Sequence, residues 1–144
     1  MELSTSIMIN RPVEEVFSYM TDAKNLSNWM SELVEAKQTS EGPVGVGTTI
    51  SAVANVLGRR IENIQEVTAY EPNGEFAIKA TSGPAINDDT FSFESVADGT
   101  KVTRTTKGEV GGFFRMAEPL VVRMLKRQFE TNFANLRDLL EAQA

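Results

Sequence analysis

The sequence predicts an α+β fold in which a curved antiparallel sheet packs against one long C-terminal helix, with two short helices after the first strand. Three observations lead to this prediction: an alternating first segment, a central region of alternating runs separated by turn residues, and a final segment with helical spacing. No linker, repeat or low-complexity tract interrupts this order. We therefore expect a single domain over residues 1–144.

The first strand is predicted from residues 3–10, where every second side chain suits a buried face. Pro12 ends this strand, and proline is favoured in the first turn of a helix. Apolar residues then recur at helical spacing over residues 13–20, which predicts the first short helix. Asp22 is a candidate N-cap for a second short helix that carries Trp29.

The region from about residue 32 to residue 110 has the punctuation of an antiparallel meander. The turn signals are Gly42-Pro43, Gly58, Pro72-Asn73-Gly74, Gly83-Pro84 and Asp98-Gly99. Glycine, proline, asparagine and aspartate in these combinations are typical of tight connections between strands.

The turn types also predict a register for the strands. A two-residue turn at Gly58-Arg59 pairs Ala54 with Asn63, and a four-residue turn at 71–74 pairs Ala69 with Phe76. A turn at Gly83-Pro84 sets Ile78 against Asp89 and Phe76 against Phe91, and a turn at Asp98-Gly99 sets Phe91 against Thr106 and Phe93 against Arg104. All four hairpins place the same alternate residues on one face, and that face should meet the long helix. The opposite face is mostly polar, with Tyr70 among its apolar interruptions.

The last segment predicts the long helix. Apolar residues from Val122 to Leu140 step by three or four along one face. Pro119 lies early in this segment, so the helix should begin or kink there, because an interior proline removes a backbone hydrogen bond.

Composition excludes several classes of function. The chain has 14 basic and 20 acidic residues, a net charge of −6, and neither cysteine nor histidine. Thiolate and histidine catalysis, disulfides and Cys/His metal sites are therefore excluded, and we expect no metal and no cofactor. The acidic charge disfavours nucleic acid as a partner. Since no apolar run approaches the ~20 residues of a membrane helix, we expect a cytoplasmic protein without integral membrane association.

The predicted inner face has an unusual composition for a core. Several of its residues are small alanines, and others are polar: Asn63, Gln65, Asn87, Asp89, Arg104 and Thr106. Small residues facing a helix leave either a collapsed gap or a cavity. Buried polar groups need partners, which could be each other, water or a ligand. Composition alone leaves both explanations open.

If the space is a cavity, apolar residues of the sheet and helix would complete its wall. The candidate ligand-binding residues are Asn63, Gln65, Ile78, Asn87, Asp89, Phe91, Arg104, Thr106, Leu125, Phe129 and Phe133. Trp29 and Phe17 could cover the cavity mouth, but large aromatic residues are more often packing residues.

Asp89 and Arg104 are the only candidates for catalysis. A partly desolvated carboxylate could act as an acid or base. The favoured interpretation is a structural ion pair, because Arg104 is predicted on the neighbouring strand and internal pairs often satisfy only each other.

Several strings of the sequence resemble the START-like superfamily, in particular its bacterial polyketide cyclase/dehydrase (SRPBCC) branch. They are residues 7–17, Trp29, Val46-Gly47-Thr48, residues 57–62, residues 67–72, residues 99–103 and the ending Phe-x-x-x-Phe-x-x-Leu-x-x-Leu-Leu-Glu over residues 129–141. The resemblance spans essentially the whole chain. It implies a helix-grip fold, with a seven-stranded antiparallel sheet curled around the C-terminal helix and two short helices closing one end.

Members of this superfamily differ in task, and no matched string marks a catalytic residue. The first hypothesis is a pocket that binds a hydrophobic or aromatic small molecule, as a carrier, a sensor or a weak catalyst. The alternatives are a polyketide cyclase or dehydratase that uses Asp89 and Arg104, and an interaction module with a filled core. The sequence does not decide whether the protein forms a homodimer.

Overall fold

The structure is a computed structural model that describes residues 2–56, 58–82, 87–108 and 118–142. Its strands are β1 Glu2–Ile9, β2 Leu33–Gln38, β3 Thr49–Val56, β4 Arg59–Glu71, β5 Glu75–Ser82, β6 Asn87–Val96 and β7 Gly99–Gly108. Its helices are α1 Val13–Met20, α2 Leu26–Trp29 and α3 Glu118–Glu141, and a single 3-10 turn, Ala23–Asn25, leads into α2. The α+β class and the order of elements are confirmed.

The seven strands form one antiparallel sheet in the order β1-β7-β6-β5-β4-β3-β2. Six strands in succession pair with their neighbours in sequence, while β1 pairs with β7 and brings Ile9 opposite Thr100. The sheet is curved, and its inner face packs against the helices. This is the helix-grip arrangement that the resemblance implied.

The register differs from the prediction in two hairpins, each time by two residues. Ala54 pairs with Ile61 rather than Asn63, because Val56 is already paired with Arg59. Phe91 pairs with Arg104 rather than Thr106, and Phe93 with Val102, because Val96 pairs with Gly99. Side chains alternate with a period of two, so a two-residue shift leaves every residue on its predicted face.

The β5–β6 hairpin has the predicted register. Ile78 pairs with Asp89, and Phe76 pairs with Phe91. The predicted turn at Gly83-Pro84 lies outside the described residues.

The β4–β5 hairpin contains a bulge that moves Tyr70 from its predicted face. Val67 pairs with Ile78 as predicted, but the register then shifts, so that Ala69 pairs with Ala77 and Tyr70 with Phe76. Such a bulge inserts an extra residue into one strand and reverses the alternation beyond it. Tyr70 was predicted on the outer face; its ring instead meets those of Phe17 and Phe76 edge on, with centroids 5.3 and 6.3 Å apart.

Pro12 is the N-cap of α1, at the predicted start of the first helix. Asp22 caps the 3-10 turn Ala23–Asn25 rather than α2, and its carboxylate accepts a hydrogen bond from the backbone N–H of Lys24 at 3.2 Å. The N-cap of α2 is Asn25, because the 3-10 turn comes between Asp22 and the helix. Pro119 lies in the first described turn of α3.

Buried apolar residues concentrate where α1, α2 and the second half of α3 meet the sheet. This core contains Ile9, Val16, Phe17, Met20, Leu26, Trp29, Ile50, Val67, Phe76, Ile78, Phe91, Phe93, Val102, Phe133, Leu136 and Leu140. The helices therefore pack against the sheet mainly at one end of the sheet.

Candidate ligand-binding site

Burial along the inner face of the sheet falls from one end to the other. At the end covered by α1 and α2, Phe91 and Phe93 are almost fully buried. At the opposite end, near the β3–β4 connection and the paired ends of β6 and β7, inner-face residues are half-exposed. We call this the open end; its described residues are Ala54, Ile61, Asn63, Asn87 and Gly108.

Helix α3 follows the same gradient. Phe129 and Phe133 are buried against the sheet, whereas Val122 and Leu125, on the same face of the helix, are half-buried. The first half of α3 thus covers the open end less completely than the second half covers the core.

Asp89 is the centre of a polar cluster on the inner face. Its Oδ1 accepts hydrogen bonds from Nε of Arg104 at 3.1 Å and from the hydroxyl of Thr106, and its Oδ2 accepts one from the amide of Asn87 at 2.9 Å. Asp89, Arg104 and Thr106 are all buried. Three of the predicted site residues, Asn87, Arg104 and Thr106, therefore donate hydrogen bonds to Asp89. The Asp89–Arg104 ion pair is present.

Strand pairing explains why these residues meet. Asp89 and Thr106 are direct partners in the β6–β7 register, and Asn87 shares the inner face two residues before Asp89. Arg104 lies two residues before Thr106 on the same face of β7. The alternation that predicted a common face thus also predicts the contact.

The Arg104 guanidinium is enclosed by aromatic rings as well as by its ion pair. Its Cζ lies 3.7 Å from the centroid of Phe129 and 5.3 Å from that of Phe91. Cation–π contacts of this kind are stronger when both groups are desolvated. Nε is the guanidinium atom that contacts Asp89, and Nη1 is buried without a hydrogen-bond partner among the described residues.

Other buried polar atoms are also without partners in the described part of the chain. They are the Thr5 hydroxyl oxygen, the Asn63 amide oxygen and the Trp29 indole nitrogen. Asn63 was a predicted site residue, whereas Thr5 was not. The alternation of β1 places Thr5 on the buried face, and that is the sequence signal that could have identified it. Its position directly opposite Arg104 comes from the register of the structure.

The remaining predicted residues divide between core and open end. Ile78, Phe91 and Phe133 belong to the buried core, and Gln65 is half-buried on the inner face of β4. Trp29 is 1% exposed and stacks on Phe133 with centroids 6.2 Å apart, which places it in the core rather than at a mouth.

Two depressions lie mainly on the opposite, outer face of the sheet, and the first of them also borders Ile78 and Asp89. One is bordered by residues of β4 to β7 such as Thr90 and Lys107, and the other by residues of β2 and β3 such as Glu35 and Ser51. Neither is bordered by any of the buried unpartnered polar atoms found in the described ranges. The inner face is therefore the stronger candidate site.

The described ranges contain no candidate metal site and no helix that could cross a membrane. No three acidic side chains in them come together in a way that could hold a metal ion. None of the helices there combines the length and apolar character needed to cross a bilayer.

Comparison with solved structures shows the same fold in several bacterial proteins. A protein of Thermus thermophilus has a TM-score of 0.86 at 19% identity, with 100% of this chain and 99% of that chain covered. A START superfamily protein from Mycobacterium smegmatis has a TM-score of 0.83 at 15% identity, with 99% of both chains covered. A conserved protein from Geobacillus kaustophilus has a TM-score of 0.81 at 19% identity, with 99% of this chain and 96% of that chain covered.

A search of curated protein sequences gave no significant match. The family model described as "Polyketide cyclase / dehydrase and lipid transport" matches residues 1–141. The match spans nearly the whole chain and agrees with the helix-grip architecture, so the chain belongs to the polyketide cyclase/dehydrase and lipid transport family.

Proposed function

We propose that the protein binds a hydrophobic or aromatic small molecule between the inner face of the sheet and the first half of α3. The ligand would enter at the open end, past Asn63 and Gln65 on β4, and its polar group would lie beside Arg104 on β7. Asn87, Asp89 and Thr106 would hold Arg104 in position rather than contact the ligand. In this proposal the protein acts in the cytoplasm as a carrier or sensor.

The observation that carries the proposal is the set of buried polar atoms without partners on the inner face of the described sheet. Leaving a buried donor or acceptor unsatisfied costs about 1–3 kcal/mol, so such atoms are rare unless something else binds them. Arg104 Nη1 and Asn63 Oδ1 are two of these atoms. A ligand that bonds to them would recover that cost, while the aromatic residues around Arg104 would contact its apolar part.

The apolar surface that a ligand would bury sets the expected affinity. Burying about 300 Å² of apolar ligand surface contributes about 7 kcal/mol at about 25 cal/mol per Å². Ordering the ligand opposes this gain, so we expect dissociation constants no tighter than micromolar.

Two adjacent residues of β3 allow a matched test. Ala54 belongs to the inner face and Asn55 is exposed on the outer face. Titration with the neutral fluorescent probe Nile red should saturate for the wild type and for Asn55→Phe. Ala54→Phe would fill space at the open end, and we expect its affinity to fall at least about tenfold.

Thermal unfolding should confirm that both variants are folded. The proposal fails if the wild type shows no saturable binding of Nile red or of a panel of lipids and aromatic compounds. It also fails if Ala54→Phe and Asn55→Phe bind the probe equally well.

The cyclase alternative needs Asp89 to exchange protons with a substrate. Both carboxylate oxygens already accept hydrogen bonds from Arg104, Thr106 and Asn87, which favours a positioning role. An Asp89→Asn variant that stayed folded but lost turnover of a cyclisation substrate would favour the enzyme.

The interaction module and the homodimer stay predictions, and sedimentation velocity would detect a stable dimer.

A further inference from the structure

If the inner face binds an apolar ligand as proposed, we infer that this ligand carries a neutral carbonyl oxygen, which accepts hydrogen bonds beside Arg104, and that a carboxylate in the same place is disfavoured. The proposed function leaves the polar chemistry of the ligand open. The surroundings of Arg104 restrict it in two ways, by the direction of the hydrogen bonds and by the balance of charge.

The direction of the hydrogen bonds follows from the chemistry of arginine. A guanidinium group only donates, so whatever faces Nη1 must be an acceptor. Arg104 is 6% exposed, its Nε donates to Asp89, and its guanidinium lies over the ring of Phe129. The group is therefore held in one orientation, with Nη1 unpartnered in the described ranges.

Thr5 places a second polar group at the same point. It is the direct partner of Arg104 in the β1–β7 register, and its hydroxyl is also buried and unpartnered in the described part of the chain. Directly opposed residues have Cβ atoms about 4.5–5.5 Å apart, so the two side chains border the same part of the inner face. A carbonyl oxygen has two lone pairs and can accept from the Arg104 guanidinium and the Thr5 hydroxyl together.

The balance of charge then distinguishes a carbonyl from a carboxylate. Among the described residues, Asp89 and Arg104 are the charged side chains that are buried, and they compensate each other. A ligand carboxylate would bring a second negative charge to a single buried positive charge. An uncompensated buried charge is far more costly than a hydrogen-bonded neutral group.

Three ligands of nearly equal shape test this inference. 2-Acetylnaphthalene carries a ketone, 2-isopropenylnaphthalene replaces the ketone oxygen by a CH₂ group, and 2-naphthoate carries a carboxylate. Their affinities are measured by displacement of Nile red. We expect the ketone to bind about tenfold more tightly than either of the others, because a hydrogen bond from a charged donor is gained without adding charge.

Variants locate the effect by the ratio of hydrocarbon to ketone dissociation constants. Thr5→Val keeps the shape of the side chain, and we expect it to reduce the ratio about threefold, the loss of one neutral hydrogen bond. The double variant Asp89→Asn/Arg104→Met, shown to be folded by circular dichroism, should reduce the ratio to about three, the part that the Thr5 hydroxyl still contributes. Ser6→Ala changes the neighbouring exposed residue of β1 and should leave the ratio unchanged.

The outcomes separate this inference from the proposed function. Equal affinity for ketone and hydrocarbon overturns the inference while the pocket stands, and so does tighter binding of 2-naphthoate than of the ketone. An unchanged ratio in the double variant shows that Arg104 is not the donor and also overturns it. If Nile red itself does not bind, the proposed function fails and the inference falls with it.

Discussion

Asn132 shows how one polar residue on α3 joins distant parts of the chain. It is fully buried, and its amide oxygen accepts hydrogen bonds from the backbone N–H and hydroxyl of Ser31 and from Gln128. Its amide nitrogen donates to Glu32 at 2.8 Å. These bonds fix α3 to the connection between α2 and β2.

We expect Asn132→Ala to lower the free energy of unfolding by about 2–3 kcal/mol, because it leaves the Ser31 N–H without its partner as well as removing packing. Urea denaturation provides the measurement. Thr131→Ala, an exposed neighbour on the same helix, is the control and should change stability by less than about 0.5 kcal/mol. Equal effects of the two substitutions would contradict the role assigned to Asn132.

The Asp89–Arg104 pair predicts strong coupling between two single substitutions. Asp89→Asn should cost about 3 kcal/mol of stability, because it leaves the Arg104 charge buried and uncompensated. Arg104→Met should cost a similar amount for the opposite reason. The double variant should be more stable than the sum of the two losses implies, since neither charge is then left alone.

A double-mutant cycle by chemical denaturation measures this coupling. The matched control is Arg60–Glu62, a pair 3.6 Å apart with side chains 61% and 70% exposed. Glu62→Gln should change stability by less than about 0.5 kcal/mol, since exposed pairs contribute little. Additive losses at Asp89 and Arg104 would show that the buried pair acts as two independent residues.

At the scale of residues, the sequence predicted the faces but not all the partners. Asp89 and Arg104 could be placed on adjacent strands because alternation specifies the face of each residue. Asn132 could not be identified, since a polar residue on a helix is ordinarily exposed and nothing local marks its contact with Ser31. Thr5 was missed because a threonine in an alternating strand carries no signal about its partner across the sheet.

At the scale of elements, the β6–β7 hairpin depends on a close approach at Gly99. Its φ is +152°, and a Cβ built there would lie 2.1 Å from the backbone oxygen of Ile9. Only glycine combines this conformation with so little space. The turn therefore packs directly against the connection between β1 and α1.

We expect Gly99→Ala to destabilise the protein by about 3 kcal/mol or to prevent folding, because both backbone strain and a backbone clash oppose the new methyl group. Gly42 is the matched control: its φ is +91°, but no atom lies within 4 Å of a built Cβ. Gly42→Ala should cost only about 1 kcal/mol. Thermal denaturation compares the two, and equal losses would exclude a specific clash at Gly99.

The hairpins also show why element boundaries were predictable and the register was less so. Glycine, asparagine and aspartate mark where a turn occurs, but a one-position change in the turn residues shifts the pairing by two. Gly99 is the first residue of β7 rather than the second residue of the turn. The bulge next to Thr68 could not be predicted. Its one trace in the sequence is the apolar Tyr70 on an otherwise polar face, and a single exposed apolar residue does not indicate a bulge.

At the scale of the whole molecule, the fold was predictable because every level of the sequence agrees on it. Turn chemistry, alternation and helical spacing lead to one sheet and one long helix. The sequence did not predict which buried polar groups form hydrogen bonds with each other and which are left for a ligand, because this depends on distances across the sheet. Asp89 is satisfied by its neighbours, whereas Asn63 on the other side of the inner face has a buried amide oxygen without a partner in the described ranges.

The division of the molecule into a packed end and an open end predicts how stability responds to a ligand. A compound that binds only the folded protein stabilises it by about 2.7 kcal/mol at one hundred times its dissociation constant. For a domain of this size that gain raises the melting temperature by about 5–10 °C. We expect 2-acetylnaphthalene to produce this increase in the wild type and in Asn55→Phe.

Ala54→Phe should show no more than about half of this increase, because an affinity at least about tenfold weaker leaves at most about 1.4 kcal/mol of stabilisation at the same concentration of the compound. Differential scanning fluorimetry over a concentration series measures the effect, with the shift following the logarithm of ligand concentration above the dissociation constant. An equal shift in Ala54→Phe would place the binding site elsewhere on the molecule. A shift found only in Asn132→Ala would instead indicate binding to a partly opened state.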